Sequence, residues 1–309
     1  MAKDIKRFSF SRLSAFKKCP RQHYYTYIEQ VDTPESVTTI PGSLFHECLE
    51  LHAKGLDYMK PIEEFAKYCR EGKLELEPDT LETVFTEYQN YYADETADEE
   101  VLLVEAEYTD TLEDEDTFVV KIDKVIRTKG YIVARDTKTT LNKLKYTVDD
   151  VTYNQQLHTY IPYVEELIKE KVDCIEIDEV RIAKLQPVPL LRTGKPSTNK
   201  NLLDLVTFDS YYECLASMGL ESEREYQPVL DYLASRGHPL FKRTRVQVLD
   251  RNVTSTMAQD ILDTYQCAKG GSNYRVTGPL CNYCQYKKLC HLDYSCPSEM
   301  ERDILKNNL

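Results

Sequence analysis

The sequence predicts an α/β fold with a small antiparallel element and helices around it. Two observations carry this prediction. Apolar residues recur at helical spacing within residues 9–100 and again within 149–170, whereas β-rich runs separated by a turn occupy residues 101–138. Another apolar, β-branched run, CIEIDEVRIAKL, follows at 174–185. No repeat or long low-complexity tract interrupts the 309 residues, so we expect a single domain over 1–309.

Charge and composition exclude several classes of protein. The formal net charge of −13 argues against a protein that coats nucleic acid by charge alone, so any DNA contact must be local or helped by metal ions. No stretch approaches the ~20 apolar residues of a membrane span, and the N-terminus lacks the apolar core of a signal peptide. We therefore expect a cytoplasmic protein with no membrane contact. Its ten cysteines are then expected to be thiols or metal ligands rather than disulfides.

The N-terminal third of the chain is predicted to be helical. The first helix lies within residues 9–30 and has Ser11 as its expected N-cap. The second follows Pro41-Gly42 and covers 42–55. The third covers 82–100, and its acidic end is expected to be solvated surface.

The chain from residue 101 is predicted to form strands, and a second helical region follows them. The runs VLLVEAEYTD, TFVVKIDKVI and YIVARDTK read as three strands, with an exposed acidic connection after the first and a turn at 127–130 after the second. A helix over 149–170 would take Asp149 or Asp150 as its cap. The strand at 174–185 leads into a connection at 187–201. Two or three helices and one short candidate strand, KRTRVQVL, precede a cysteine-rich C-terminus.

The third strand ends in Asp136 and Lys138, residue types that strands disfavour. If the turn is centred at 128–129, Asp123 lies across from Ala134, and Asp136 is its diagonal neighbour at about 7–8 Å between Cα atoms. Two carboxylates that converge from that distance can share one divalent cation, and their hard oxygen atoms suit Mg²⁺ or Mn²⁺. Lys138, on the same face, would hold or help to activate an attacking water.

The order Asp123, then Asp136-Thr137-Lys138, resembles the D…(D/E)-x-K signature of the PD-(D/E)XK nuclease superfamily. The resemblance implies a restriction-endonuclease-like core, in which a small mixed central sheet is flanked by helices. It also implies that Asp123, Asp136 and the Thr137 carbonyl bind Mg²⁺ or Mn²⁺. Lys138 would then be catalytic together with the two aspartates.

Two further motifs are similar to the RecB-like branch of that superfamily. His46, in PGSLFHECLE, resembles the histidine that joins the metal ligands in this branch, although a lone histidine on an apolar helix is ordinarily a core residue. Gln156 and Tyr160 match its Q-x-x-x-Y motif and share one helix face, where they would orient the substrate or the catalytic lysine. Gln155 offers a rival register for that motif, and His158 is expected to be structural.

The cysteine pattern points to an iron–sulfur subgroup. Cys281, Cys284 and Cys290 are spaced C-x2-C-x5-C, and Cys19 ends a distant S-x-L-x-x-F-x-x-C phrase. This arrangement is similar to iron–sulfur RecB-like nucleases, which include CRISPR-associated exonucleases and the AddB nuclease domain. The resemblance implies a [4Fe-4S] cluster, bound by these four cysteines, that joins the N- and C-termini. Structural Zn²⁺ is the alternative, and Cys296 could replace Cys19 in a wholly local site.

The resemblance implies a metal-dependent deoxyribonuclease, more an exonuclease than an endonuclease, that acts on single strands or DNA ends in recombination, repair or phage DNA metabolism. The chain has no helicase motif, so it would act alone, as an oligomer, or beside a helicase or recombination partner. The alternative is a non-catalytic DNA-binding or assembly module with the same fold and cluster. The implied parts are cluster-binding ends at 1–30 and 275–309, a helical region with the histidine motif at 31–100, a catalytic core at 101–185 and a helical extension at 186–274.

Two groups of basic residues are candidate DNA contacts, because cations that neutralise phosphates give local affinity even to an acidic protein. One group lies in the segment 187–250, where a solvated loop with scattered charge is the alternative: Arg192, Lys195, Lys200, Lys242, Arg243 and Arg245. The other group flanks the predicted cluster ligands: Arg12, Lys17, Lys18, Lys287 and Lys288.

Overall fold

The computed structural model describes residues 7–33 and 38–293, together with Arg302 and Lys306. In these residues six strands form one mixed sheet, and helices flank it. The strands are β1 (Arg7–Ser9), β2 (Glu100–Thr111), β3 (Thr117–Thr128), β4 (Tyr131–Thr140), β5 (Cys174–Arg181) and β6 (Phe241–Gln247). A mixed α/β fold of this kind is consistent with the expected restriction-endonuclease-like core.

The α-helices of the described residues come in groups, before β2, between β4 and β5, between β5 and β6, and after β6. They are α1 (Phe10–Lys18), α2 (Pro20–His23), α3 (Ile40–Ala53), α4 (Met59–Arg70), α5 (Thr80–Tyr91), α6 (Ala93–Thr96), α7 (Val148–Thr152), α8 (Gln155–Ile168), α9 (Phe208–Ser217), α10 (Gln227–Arg236), α11 (Arg251–Lys269) and α12 (Lys287–Leu292). A π-helical turn continues α2. Within this part of the chain, none of the helices is both long and apolar enough to cross a membrane.

The centre of the sheet is β3, which has three partners. Antiparallel β2 follows nearly all of one edge, from Glu100↔Arg127 to Thr111↔Thr117. The other edge is divided: parallel β1 pairs at 117–119, and antiparallel β4 pairs at 124–128. Between these two ladders β3 and β4 separate, and that opening is where the candidate site lies.

The β3–β4 hairpin has a different register from the predicted one. Thr128 pairs with Tyr131, and the two residues between them, Lys129 and Gly130, have φ angles of 49° and 82°. A two-residue hairpin loop of this kind needs positive φ at both positions, so Gly130 fixes the turn one residue later than expected. Val125, not Asp123, therefore pairs with Ala134.

Helices cover both faces of the sheet. On one face α1, α8 and α11 pack over β3, β4 and β5 around a core that includes Leu13, Leu157 and Ile261. The other cluster joins α3, α4 and α5 to the ends of β5 and β6 and includes Phe45 and Phe85. A third, smaller cluster holds α9 and α10 together. The sheet thus fixes α3 on one side of the β3–β4 opening and α8 on the other.

Helix starts differ from the sequence expectations because neighbouring elements set the backbone. Ser9, rather than Ser11, caps α1: β1 leaves Ser9 in extended backbone, and its hydroxyl accepts the Arg12 N–H at 3.3 Å. The predicted helix over 149–170 is divided into α7 and α8. Their caps are Thr147 and Asn154 instead of either predicted aspartate.

The acidic end of the third predicted helix is not wholly solvated surface. The Glu99 side chain is buried between β3 and β4, where it binds the Arg135 guanidinium at 2.5 Å and the Lys124 ammonium at 3.1 Å. This contact belongs to a larger set of charged side chains on one side of the sheet. We call that set the ion network; its members are Glu99, Lys124, Arg135, Glu176, Asp178, Arg243 and Arg245.

Candidate active site

Asp123 lies at the opening where β3 and β4 separate. Ile122 and Val125 are three residues apart, yet both pack in the same core cluster, so the alternation of side chains along β3 is broken between them. The resulting kink frees the Asp123 carboxylate from the regular ladder. It accepts the backbone N–H of Thr137 on β4 at 2.9 Å. One side chain thus bridges the two diverging strands.

His46 reaches Asp123 from α3, with 3.6 Å between His46 Nδ1 and Asp123 Oδ2. One helical turn before it, Gly42 packs directly against β4. A Cβ at Gly42 would lie 2.4 Å from Thr139 Oγ1, so only glycine allows this close approach without a shift. Because residues four apart share a helix face, Gly42 sets the distance at which His46 meets the sheet.

Glu105 on β2 completes a group of three potential ligands. It lies opposite Asp123, because the neighbouring residues of each strand pair as Val104↔Lys124 and Ala106↔Ile122. Its side chain is 8% exposed, and Lys121 Nζ lies 2.5 Å from it. The ligand atoms of His46, Glu105 and Asp123 all lie within 4.8 Å of one another.

In the sequence, Glu105 and Glu107 read most simply as surface charge, and a carboxylate that supports the metal site or binds a second metal is the alternative. The structure favours the alternative for Glu105, whose side chain is only 8% exposed and faces Asp123. Surface charge fits Glu107, whose half-exposed carboxylate pairs with Arg7 at 2.7 Å. The signal that distinguishes them is the β2–β3 register, which places Glu105 opposite Asp123 and cannot be read from either strand alone.

The predicted catalytic residues of β4 and α8 form a continuous chain of contacts. Lys138 Nζ lies 2.6 Å from Asp136 Oδ2 and donates to Gln156 Oε1 at 3.3 Å. The Gln156 amide in turn donates to the Tyr160 hydroxyl at 3.5 Å. Asp123, Asp136, Lys138, Gln156 and Tyr160 all line one cavity of about 620 Å³.

The α8 helix distinguishes the two registers considered for the Q-x-x-x-Y motif. Gln155 points away from Lys138 and contacts Lys17 and the Met257 carbonyl. Gln156 is the glutamine that faces the cavity. His158 is fully buried, and its Nε2 lies 2.9 Å from the Thr152 carbonyl oxygen, as a structural role requires.

Burial and the crowding of negative charge together set the electrostatics of the site. Burial and the nearby Asp136 carboxylate raise the pKa of Asp123 to about 6, against the opposing effects of His46 and the Thr137 N–H. For Lys138, burial lowers the pKa, but Asp136 and Asp123 outweigh that effect and the net shift is upward. Burial raises the pKa of Tyr160 to about 12. The site therefore favours the binding of an additional positive charge.

The donor set fits a hard divalent cation. Three carboxylates, from Glu105, Asp123 and Asp136, surround the opening beside one imidazole, and Mg²⁺ and Mn²⁺ prefer such oxygen-rich sets with at most a little nitrogen. Asp136 stands outside the 4.8 Å group and contacts Lys138. The contact described for Thr137 is through its amide, so the predicted role of its carbonyl stays a prediction.

Comparison with protein families adds an independent observation to this geometry. The family model of the PD-(D/E)XK nuclease superfamily matches residues 7–291, nearly the whole chain. The chain belongs to the PD-(D/E)XK nuclease superfamily. Membership in this superfamily indicates a nuclease, and the substrate of a nuclease is a nucleic acid. The comparison with curated proteins gave no match.

In this superfamily member the two ends of the chain also meet. Arg21, just after Cys19, donates its backbone N–H to the Tyr274 carbonyl at 3.1 Å. The rings of Tyr25 and Tyr286 lie 5.3 Å apart, in a small core against which Cys284 and Cys290 pack. The sequence expectation that the N- and C-terminal regions come together is therefore met in the described residues.

All four predicted cluster cysteines take part in the electrostatics of this region. Burial raises the pKa of both Cys284 and Cys290; Cys19 adds to the rise in each, Cys281 adds to it in Cys284, and Cys284 adds to it in Cys290. Among the described residues, however, no three cysteine sulfurs lie within 4.8 Å of one another. No cysteine metal site is therefore evident among the described residues, and the [4Fe-4S] cluster and the Zn²⁺ alternative both stay predictions. Cys296 lies outside the described residues.

Several of the predicted DNA-contacting cations are engaged elsewhere. Arg243 and Arg245 belong to the ion network, where they bind Asp178 and Glu176. Arg12 is 3% exposed and lies over the Phe8 ring. These three cations stabilise the fold, which leaves Arg192 and the exposed lysines as the candidates that remain.

Proposed function

We propose that the protein is a metal-dependent DNA nuclease of the RecB-like branch, and that it acts as an exonuclease on single strands or DNA ends. The observation that carries this proposal is the convergence, at the β3–β4 opening, of His46 from α3, Asp123 from β3 and Asp136 with Lys138 from β4. These residues come from three separate elements, and no need of the fold explains four polar side chains around one cavity. The exonuclease preference rests on the likeness to the RecB-like motifs.

The metal site would be formed by His46, Asp123 and Asp136, with Glu105 added by the structure and the Thr137 carbonyl as a further predicted ligand. When bound there, Mg²⁺ or Mn²⁺ supplies positive charge that polarises the scissile phosphate and stabilises its developing negative charge. Its binding would also offset the repulsion between the carboxylates of Asp123 and Asp136.

The remaining residues would orient the reactants. In phosphodiester hydrolysis a water oxygen forms a bond to phosphorus, the bond from phosphorus to the leaving sugar oxygen breaks, and a proton ends on that oxygen. Lys138 Nζ, held by Asp136 and Gln156, can donate hydrogen bonds to the water or to a phosphate oxygen. Gln156 and Tyr160 fix the lysine and would contact the strand beside it.

We propose further that Cys19, Cys281, Cys284 and Cys290 bind a [4Fe-4S] cluster with a structural role. Support comes from the packing of the N-terminal region against residues 274–293 and from the proximity of Cys19 to Cys284 and Cys290, which adds to the rise that burial causes in the pKa of these two thiols. A cross-link between positions so far apart in sequence should stabilise the fold substantially. Brown colour in anaerobically purified protein would support a cluster; colourless protein containing zinc would contradict it.

The decisive experiment is digestion of end-labelled single- and double-stranded DNA in Mg²⁺ or Mn²⁺, with Asp136→Asn and Lys138→Ala as test variants. Both variants should lose at least about a hundredfold in rate, because each removes a group that acts on the reacting phosphate. Glu107→Gln is the matched control, since this carboxylate lies near the site but is half exposed and pairs with Arg7.

The outcomes separate the two functions that the sequence left open. Cleavage by the wild type and by the Glu107 variant, with loss in both test variants, would establish the active site. Release of mononucleotides from an end would establish exonuclease action, whereas cleavage of a circular strand would show an endonuclease. Wild-type protein that binds DNA but cuts nothing with either metal would favour the non-catalytic module.

A partner would complete this function in the cell. The chain carries no helicase motif of its own, so we propose that a helicase or recombination partner supplies single strands, or that the protein acts on ends already unwound. Recombination, repair and phage DNA metabolism are the processes in which such an activity is expected. Co-purification from cells that encode the protein would test for the partner.

A further inference from the structure

A second cavity, distinct from the active site, combines positive charge with aromatic rings. It has a volume of about 830 Å³ and lies where the C-terminal ends of β4 and β5 meet the start of β6, between the ends of α5 and α10. We call it the basic cavity. Tyr92 lines both it and the cavity beside His46 and Asp123, and none of the proposed catalytic residues lines it.

Positive charge in the basic cavity exceeds negative charge. Lys143 and Arg181 share one carboxylate, Asp204, at 3.1 Å and 3.0 Å. Arg236 donates to the carbonyls of Leu203 and Val206, and no carboxylate of the described residues lies within 4.0 Å of it. Lys242 binds the Tyr146 carbonyl in the same way, again without a carboxylate that close in the described part of the chain.

Two of these cations also have hydrogen-bond donors left over. The Nε atoms of Arg181 and Arg236 are buried and have no hydrogen-bond partner among the described residues. Buried donors are ordinarily satisfied, and a guanidinium presents its donors in a fixed fork that matches phosphate oxygens. Both Nε atoms are inaccessible in this structure, so it is the excess of cations that line the cavity, rather than these two donors, that suits an anionic ligand.

Aromatic rings line the same cavity. The His238 ring stacks on Phe241 with 4.6 Å between ring centroids and an interplanar angle of 1°, and Tyr91 lies 4.6 Å from His238. Tyr91 is 51% exposed, so its ring is available to a ligand. Single-stranded nucleic acid is bound by this combination, in which cations follow the phosphates and bases stack on aromatic faces.

We propose that the basic cavity is an auxiliary binding site for single-stranded nucleic acid. It would bind the strand at a second point, distant from the catalytic residues. The inference rests on the proposed function, since a nuclease that acts on single strands gains from a second point of attachment. In a protein of net charge −13, such a local group of cations is the means by which phosphates can be bound.

Binding, rather than cleavage, tests this proposal. The full-length Asp136→Asn protein is mixed in EDTA with a labelled oligothymidylate, and affinity is measured by fluorescence anisotropy over a series of salt concentrations. The test variant adds Lys143→Glu and Lys242→Glu, and a second adds Tyr91→Ala. Lys67→Glu is the matched control, because Lys67 is 71% exposed on α4 and Lys143 is 74% exposed.

We expect the double lysine variant to lose at least about tenfold in affinity and to show a salt slope smaller by about 1.4, the value for two phosphate contacts of a single strand. Tyr91→Ala should lose about tenfold, as for one stacked base. The Lys67 control should bind as the parent does. Circular dichroism of each variant checks that the fold is kept.

Three results would overturn the proposal. One is unchanged affinity in the folded double lysine variant. Another is equal affinity for an abasic strand together with no effect of Tyr91→Ala, which would show an anion site without base contacts. The last is equally tight binding of duplex DNA. A protein that binds as expected but never cuts would reject the nuclease proposal alone, so the two failures are distinguishable.

Discussion

Two charged groups lie next to each other on β3 and β4 and are built on opposite principles. Asp123 and Asp136 belong to the opening between the strands, where three carboxylates face two ammonium groups and one imidazole. Lys124 and Arg135, the adjacent residues, belong to the ion network, where cations and carboxylates alternate. One residue along either strand therefore separates the opening, where negative charge is in excess, from the ion network, where the charges are paired.

This difference in charge balance indicates which of the two charged clusters binds a ligand. In the ion network each carboxylate has a cation at hydrogen-bonding distance, as with Arg243 and Asp178 at 2.8 Å, so further charge would find no favourable place. At the opening the pKa of Asp123 is raised because the carboxyl is buried and Asp136 is near. Like charges that are held together with incomplete compensation lower stability unless a cation binds, which is typical of functional sites rather than of structural ones.

Removal of one cation from the ion network should have the largest effect. Arg135→Met leaves Glu99 and Glu176 buried without their main partner, because the Arg135 side chain is 2% exposed and binds both. Breaking a buried pair in this way should cost about 3–5 kcal/mol of unfolding free energy, which urea denaturation measures.

The control for that variant is Arg127→Met. Arg127 also binds two carboxylates, Glu100 at 2.7 Å and Glu170 at 2.6 Å, but it lies at the surface. Exposed pairs contribute about 0–1 kcal/mol, so the control should change stability little. Equal losses from the two substitutions would show that the ion network is not the compensated, buried cluster described above.

Removal of a carboxylate from the opening should have the reverse character. Asp123→Asn should lower the rate of DNA cleavage at least about a hundredfold, because a proposed metal ligand is lost. The unfolding free energy in EDTA should not fall, since the substitution also relieves repulsion with Asp136. A variant that is inactive because it is unfolded would contradict this, and thermal melts in EDTA distinguish the two cases.

The sequence predicts features that depend on residues close together in the chain better than features that depend on contacts between distant segments. Motifs that are local runs with known spacing predict six site residues, which the structure brings to one cavity: His46, Asp123, Asp136, Lys138, Gln156 and Tyr160. The register that joins β3 to β4 was predicted two residues out of place, because the turn position depends on backbone φ angles at Lys129 and Gly130.

The features that depend on contacts between distant segments were not predicted. Glu99 reads as part of an acidic run, and only the folded sheet places it beside Arg135. Glu105 reads as surface charge until β2 is aligned with β3. The basic cavity was not predicted, although two of the cations that line it, Lys242 and Arg243, were candidate DNA contacts; its other cations come from β5, α10 and the loop after β4. Contacts between distant segments are the information that composition and periodicity do not contain.

The pH dependence of stability offers a more moderate test of the opening. The pKa of Asp123 in the folded state is about 6, above the value of 3.8 that is ordinary for an aspartate. Between these two pH values the folded state therefore holds a proton that the unfolded state has lost. In metal-free protein this group therefore lowers stability as pH rises from about 4 to 6, and the cost is fully present above pH 6.

Comparison with Asp123→Asn isolates that effect from all other titrations. The variant should be more stable than the wild type by roughly 1–3 kcal/mol at pH 7.5 in EDTA, and the advantage should vanish toward pH 4. Saturating Mn²⁺ should reverse the order, because only the wild type keeps the full ligand set. An advantage that is independent of pH would contradict the raised pKa.

The smallest predicted effect concerns the glycine that positions the imidazole. Gly42→Ala should lower cleavage about tenfold at limiting metal, because a Cβ 2.4 Å from Thr139 Oγ1 forces α3, and with it His46, away from Asp123. Alanine is the better helix former, so loss of helix does not explain a lower rate. Thr139→Ala removes the clashing oxygen, and the double variant should recover most of the activity. Full additivity of the two single substitutions in this double-mutant cycle would mean that Gly42 does not set the His46 position through β4.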